Sequence, residues 1–276
     1  MQFSPTSLGQ KPPEEGGVPL PQSCHAPGFF FQFLEVLQPH FSEKVSALLG
    51  ILMLDNDTGD ALMKLPRQMH VAAPSYSKMT IQESPSIVLM GMFKMNSHQT
   101  DRTEGMVAVA KELSRSLPKT AGCLLSLAAH YHNIGVSGHL DGDYDFTPLR
   151  SAIWAKSVGL PNSVVRALFE VSGSRALARL HPSASEWYST RVNPQCPSPV
   201  SLYLTYCDLR VNSTGKTVTL PERYREMIEQ YGTNSPHAEM VRQLIPYYKA
   251  VVKVVEDHAC IHNINMLGEG SERWLH

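Results

Sequence analysis

Two histidines close one apolar stretch of this chain, and a lone aspartate sits inside another. The first stretch, LLSLAAHYHNIG, ends in His130, His132 and Asn133. A neutral imidazole is expensive to bury without a partner, so two beside one helix end call for an explanation. Residues two apart on a helix point about 200° apart, so at most one of His130 and His132 faces a given site. The second stretch is YLTYCDLRVNSTGKTVTLPERYREMIEQYG. It sets Asp208 among Tyr203, Leu204, Tyr206, Cys207 and Leu209. A carboxylate in such company is seldom buried unless it is paired or holds a metal. Taken by themselves, His132 is a cation capping its helix C-terminus, and Asp208 is half of an ion pair with Arg210 or another base.

Helices must position both groups. Met106, Val109, Ala110, Leu113 and Leu117 form one apolar stripe, which Pro118 ends. Residues 122–133 are apolar on nearly all sides, which predicts a central buried helix. Gly135, Gly138 and Gly142 mark a loop. Pro148 then opens a helix through Lys156, closed by Gly159, and another follows over 161–171. Ser198 and Pro199 cap a helix over 200–211, with Leu202, Tyr206 and Leu209 on one stripe and Asp208 beside it. Thr219 and Glu222 form a capping box that opens a helix to Tyr231, and a last helix is predicted over 236–258. Period-2 strands are missing, so the predicted class is all-α. Upstream, residues 1–28 are rich in proline and glycine and read as a disordered leader. Residues 29–98 read as a helical extension and connector, with helices over 42–54 and 86–94. The core is assigned to 99–235, and the C-terminal helix and tail to 236–276.

Composition narrows the function. Lys plus Arg is 24 and Asp plus Glu is 25, for a net charge of −1. That balance gives no strong nucleic-acid signal and no pull toward anionic lipid. Five scattered cysteines without a CxxC pair argue against a disulfide framework and for a reducing, cytoplasmic setting. The apolar run over 29–54 is interrupted by Glu35, Pro39, His40, Glu43 and Lys44, so no membrane span is expected. Neither a G-x-S-x-G elbow nor a glycine-rich phosphate loop is present.

In this order, the two opening segments resemble the HD-domain superfamily of metal-dependent phosphohydrolases. LSLAAHYHNIG is similar to that family's His-Asp helix, with the His on His132 and the Asp on Asn133. LTYCDLRV, followed by VTLPERYREMIEQYG, is similar to the helix carrying the last Asp, here Asp208. The likeness runs from Thr103 to Gly232. It implies an HD-domain-like helical bundle with a divalent metal (Mn, Ni, Mg, Fe or Zn) held by His132, Asp208 and Asn133. It further implies metal-assisted hydrolysis of a nucleotide or other small phosphate ester, with His132, Asn133 and Asp208 as the catalytic set. His139, Arg150 and Arg210 are then expected on the substrate, with Arg102, Arg166 and Arg175 as further phosphate candidates.

The departures from the pattern are specific. Thr103 stands where the family has its early His, with His98 upstream as a substitute. Asn133 offers a neutral amide where a hard cation prefers carboxylate. The places of extra histidines in some relatives hold Thr147 and Ser172 or Gly173. The alternative is therefore a catalytically inactive HD-like protein that binds a nucleotide, another small phosphorylated molecule or a protein partner, or serves only as a scaffold, its oligomeric state open. Two lesser clusters remain. Asp141, Asp143 and Asp145 alternate in a loop after the HN helix, and His258, Cys260 and His262 fall on what reads as a frayed tail.

Overall fold

The computed structural model describes residues 85–93, 97–140, 144–190 and 198–261. The predicted leader, the helix over 42–54, Asp141, Asp143 and His262 lie outside them. The described chain is all-α: its one β feature is an isolated bridge between Val211 and Thr217. The helices are α1 (Pro85–Phe93), α2 (Ser97–Leu113), α3 (Lys119–Tyr131), α4 (Thr147–Ser157) and α5 (Asn162–Glu170). They continue with α6 (Ser174–Leu177), α7 (Pro182–Thr190), α8 (Pro199–Arg210), α9 (Leu220–Tyr231) and α10 (Pro236–Ile261). No described helix is long and apolar enough to cross a membrane.

The helix starts follow from local chemistry. The Ser198 side chain accepts from the Ser201 N–H, and Pro199 at the first turn has no N–H to leave orphaned. Thr219 and Glu222 close the full reciprocal capping box at α9. One expectation about the core is corrected. The central helix is α8, which packs against α2, α3, α5, α9 and α10. From Val200 to Arg210, every residue except Asp208 is buried. By contrast, α3 buries one face, with Gly122, Leu125, Ala128, Ala129 and Tyr131 inside and Cys123 exposed. Small residues let α3 lie close to its neighbours, and they gave it the look of a helix apolar all round. The aromatic bulk of Tyr203 and Tyr206 needs the deeper position, because each buries far more area.

The element boundaries also shift. Helix α2 begins at Ser97, so it crosses the division expected at residue 99. Helix α10 carries on to Ile261 and packs on α8 and α9. His258 is therefore not on a frayed tail: its Nδ1 is 2.8 Å from the Tyr203 hydroxyl. Helix α7 was not anticipated, because its polar PSASEWYST text hides the stripe Ala184, Trp187 and Tyr188 that it buries.

Candidate functional site

Four separate pieces of chain converge around Asp208. Arg102 comes from α2, His132 from the residue after α3, Ser172 from the turn after α5, and Arg223 from α9. The Arg102 guanidinium pairs with Asp208 Oδ1 through Nη2, and its Nη1 donates to the Val211 carbonyl at 2.9 Å. The Ser172 hydroxyl donates to Oδ2. Arg223 donates from Nε to the Asp208 carbonyl at 3.2 Å and from Nη1 to Glu226 at 2.5 Å. Both carboxylate oxygens of Asp208 are thus engaged by protein donors.

Ser172 holds its place against its own backbone preference. Its φ of 51° lies in the left-handed region, which a residue with a Cβ visits at a cost of roughly 1–3 kcal/mol. Three bonds hold it there. Its N–H donates to Thr205 Oγ1 at 3.0 Å, its carbonyl accepts from the buried Tyr248 hydroxyl at 3.1 Å, and its own hydroxyl reaches Asp208. The strain is spent on aiming one hydroxyl at one carboxylate.

His132 is 4% exposed. Its Nδ1 lies 3.0 Å from the Ala129 carbonyl, so Nδ1 carries the proton and Nε2 presents a lone pair. That Nε2 is buried and meets no hydrogen-bond partner among the described residues. Ser151 secures this helix end, donating to the His132 carbonyl at 3.0 Å and accepting the Gly135 N–H at 2.9 Å.

Burial pushes the His132 pKa down to about 4, with the Asp208 charge working against that fall and Arg102 with it. Burial works to raise Asp208, but Arg102, Arg223, His132 and the Ser172 hydroxyl outweigh it and hold the carboxyl far below its usual range. His132 is therefore neutral and Asp208 ionised at neutral pH.

The His132 shift has a measurable consequence. From its ordinary 6.5 down to about 4, the unfolded chain takes up a proton at His132 that the folded chain refuses. Stability from this group is complete above pH 6.5 and is lost as pH falls toward 4, by about 3 kcal/mol in all. Urea denaturation across that range is expected to show the loss, and His132→Gln is expected to flatten it. An unchanged slope in the variant would rule the assignment out.

These groups line a cavity of about 840 Å³. It also receives His98, Asn133, Asp145, Thr147, His181 and His237. The structure brings His132, Asn133 and Asp208 to one place, together with Arg102 and Ser172. His130 turns away and bonds the Ser126 carbonyl at 2.7 Å.

The three residues expected on a substrate are not among those lining the cavity. Arg150 donates to the Ser137 and Leu140 carbonyls and so pins the loop after α3. His139 stands on that loop, with its N–H on Ser137 Oγ at 3.2 Å. Arg210 is 3% exposed and lies over the Tyr206 ring, 5.9 Å from its centroid, so it is not the partner of Asp208. Of the other arginines, Arg166 pairs with Glu170 at 2.8 Å, and Arg175 donates to the Tyr188 carbonyl at 3.1 Å. Thr103 is buried, and its hydroxyl meets no hydrogen-bond partner among the described residues.

The donors do not fit the divalent metal that the resemblance implies. Arg102 and Ser172 hold both oxygens of Asp208, and Asn133 contributes only an amide. Among the described residues, no group of three His, Cys, Asp or Glu side chains is placed to hold an ion.

The same cavity is lined by a cluster that the sequence did not announce. Asp145 Oδ2 is 3.2 Å from His181 Nδ1, and Ser183 donates to Asp145 Oδ1 at 3.0 Å. His181 Nε2 is 3.0 Å from His237 Nε2, and the His237 ring stacks on Tyr231 with centroids 5.2 Å apart. His181 precedes Pro182, and His237 follows Pro236. Both thus sit at proline-led helix starts, which was the one local signal available.

The chain matches no protein-family model, no curated protein and no solved structure.

Proposed function

We propose that this chain is a catalytically inactive, HD-like binding protein whose cavity takes a small phosphorylated molecule or nucleotide. One observation carries the reading. The Arg102 guanidinium engages Asp208, the carboxylate that the resemblance assigns to a metal. A fixed cation there neutralises the carboxylate, and each of its oxygens already accepts from a protein donor. The ligand class rests on the size and lining of the cavity. About 840 Å³ is within the range of small-molecule sites. Its wall carries Arg102, Arg223 and four histidines, His98, His132, His181 and His237, against the carboxylates Asp145 and Asp208.

Adenosine monophosphate and a chromogenic phosphate ester are suitable probes. Saturable binding of the nucleotide by calorimetry is expected. No turnover of the ester above that of Asp208→Asn is expected with Mn²⁺, Ni²⁺ or Mg²⁺ added. Metal-dependent turnover that Asp208→Asn abolishes would instead establish the hydrolase, with Arg102 displaced by the ion.

A further inference from the structure

We propose that His181 and His237 form a two-imidazole site for a late first-row divalent ion of the Cu²⁺ or Ni²⁺ kind, separate from Asp208. The proposal goes beyond the binding function above and does not depend on it.

The spacing carries the argument. The two Nε2 atoms, one from the start of α7 and one from the first turn of α10, lie 3.0 Å apart. Metal–imidazole bonds of about 2.0–2.1 Å ending on nitrogens at that separation meet at roughly 94°. A tetrahedral ion would need its nitrogens about 3.3 Å apart. Near-right angles are the cis positions of a tetragonal or square-planar sphere, which Cu²⁺ and Ni²⁺ favour.

The other ring nitrogen of His181 supports the same role. Asp145 accepts from Nδ1, which fixes that tautomer and turns the Nε2 lone pair toward His237. Asp145 is itself steadied by the Ser183 hydroxyl. The His181 contact also holds its carboxyl below the ordinary value, so the partner stays ionised. Burial, followed by the neighbouring His181, disfavours the charged form of His237, which leaves a neutral donor. Both rings line the cavity, so the remaining coordination positions face space that water or a ligand oxygen can fill.

Without an ion, the two nitrogens share one proton, with His237 donating Nε2–H to the His181 lone pair. On binding, the His237 proton moves to Nδ1. Both rings stay neutral and the ion takes the two Nε2 lone pairs.

The test is a Cu²⁺ titration of the full-length, tag-free protein, followed by calorimetry and electron paramagnetic resonance. The expected result is one equivalent with hyperfine splitting from two imidazole nitrogens. His181→Ala and His237→Ala are each expected to weaken it about tenfold or more, and Asp145→Asn by about 10–100-fold. Asp208→Asn is expected to leave it unchanged. Circular dichroism confirms that each variant is folded; Asp145 is exposed and His181 and His237 are half-buried, so none of the three substitutions empties a core position. Failure to bind, or binding equal in wild type and His181→Ala/His237→Ala, overturns the site while leaving the Arg102–Asp208 reading intact. Binding lost in Asp208→Asn but kept in the double variant contradicts both.

Discussion

Replacing Arg102 by Met is expected to destabilise the fold by about 3–5 kcal/mol, because it leaves a buried carboxylate without its cation. The pair is deep, with side-chain exposures of 10% for Arg102 and 13% for Asp208. Methionine keeps the apolar stem, so lost packing is a minor part of the effect. Urea denaturation at pH 7 measures the loss, and Arg102→Met/Asp208→Asn measures the coupling. The double variant is expected to recover up to about 3 kcal/mol, since it removes both charges together.

The acid limb gives a second readout. Asp208 is held below its ordinary 3.8, so its contribution is present above that pH and fades as pH falls beneath it. This window lies below the His132 window, so the two can be told apart. In Arg102→Met the Asp208 window is expected to shrink. His132 should titrate higher, because a repelling cation has gone while the attracting carboxylate remains. Stability within about 1 kcal/mol of wild type would mean that the pair is not what holds Asp208.

The second large effect belongs to a backbone crossing that sets the Arg102–Asp208 distance. Helix α2 lies directly on the loop after α8. A Cβ at Gly105 would stand 2.2 Å from the Gly215 carbonyl oxygen, and one at Gly215 would stand 2.2 Å from the Asp101 carbonyl oxygen. Gly215 also has φ +77°. Gly215→Ala therefore adds left-handed strain to a backbone clash, for an expected loss of roughly 2–6 kcal/mol. Gly232 has φ +80° with nothing within 4 Å of an added Cβ, so Gly232→Ala isolates the conformational part. That variant is expected to lose about 1–3 kcal/mol. Denaturant midpoints of the two variants settle the comparison. Equal losses would show that the close approach of α2 to the loop is not needed. Because residues 101 and 102 move with this contact, Gly215→Ala is also expected to weaken the Asp208 pair.

Much of this architecture was legible in the text. Ser198-Pro199 and the Thr219–Glu222 box are short-range chemistry, and they placed the starts of α8 and α9 within a residue. The burial of His132 and the near-burial of Asp208 could be inferred because each polar group interrupts an otherwise apolar run. Their meeting at one cavity was implied only by the order of the two segments.

What escaped the sequence was long-range. Arg210 is the nearest base to Asp208 in the chain, yet residues two apart on a helix point to opposite sides. The true partner lies 106 residues earlier, on another helix. Ser172 stood out only as a place without a histidine, because a left-handed serine held by three distant groups leaves no local mark. Asp145, His181 and His237 come from a loop and two helix starts, and no spacing rule joins them. The choice of central helix failed for a related reason. Alanine-rich α3 and tyrosine-rich α8 are both apolar, and which one lies deeper depends on how many neighbours surround it.

The cation that neutralises Asp208 separates a binding protein from a metal-dependent hydrolase. Crystals grown in Mn²⁺ and measured at an energy where manganese scatters anomalously would answer this directly. The expected result is Arg102 on Oδ1 and Ser172 on Oδ2, with no anomalous peak beside them. A peak within about 2.2 Å of Asp208 and His132 Nε2, with Arg102 turned away, would contradict it.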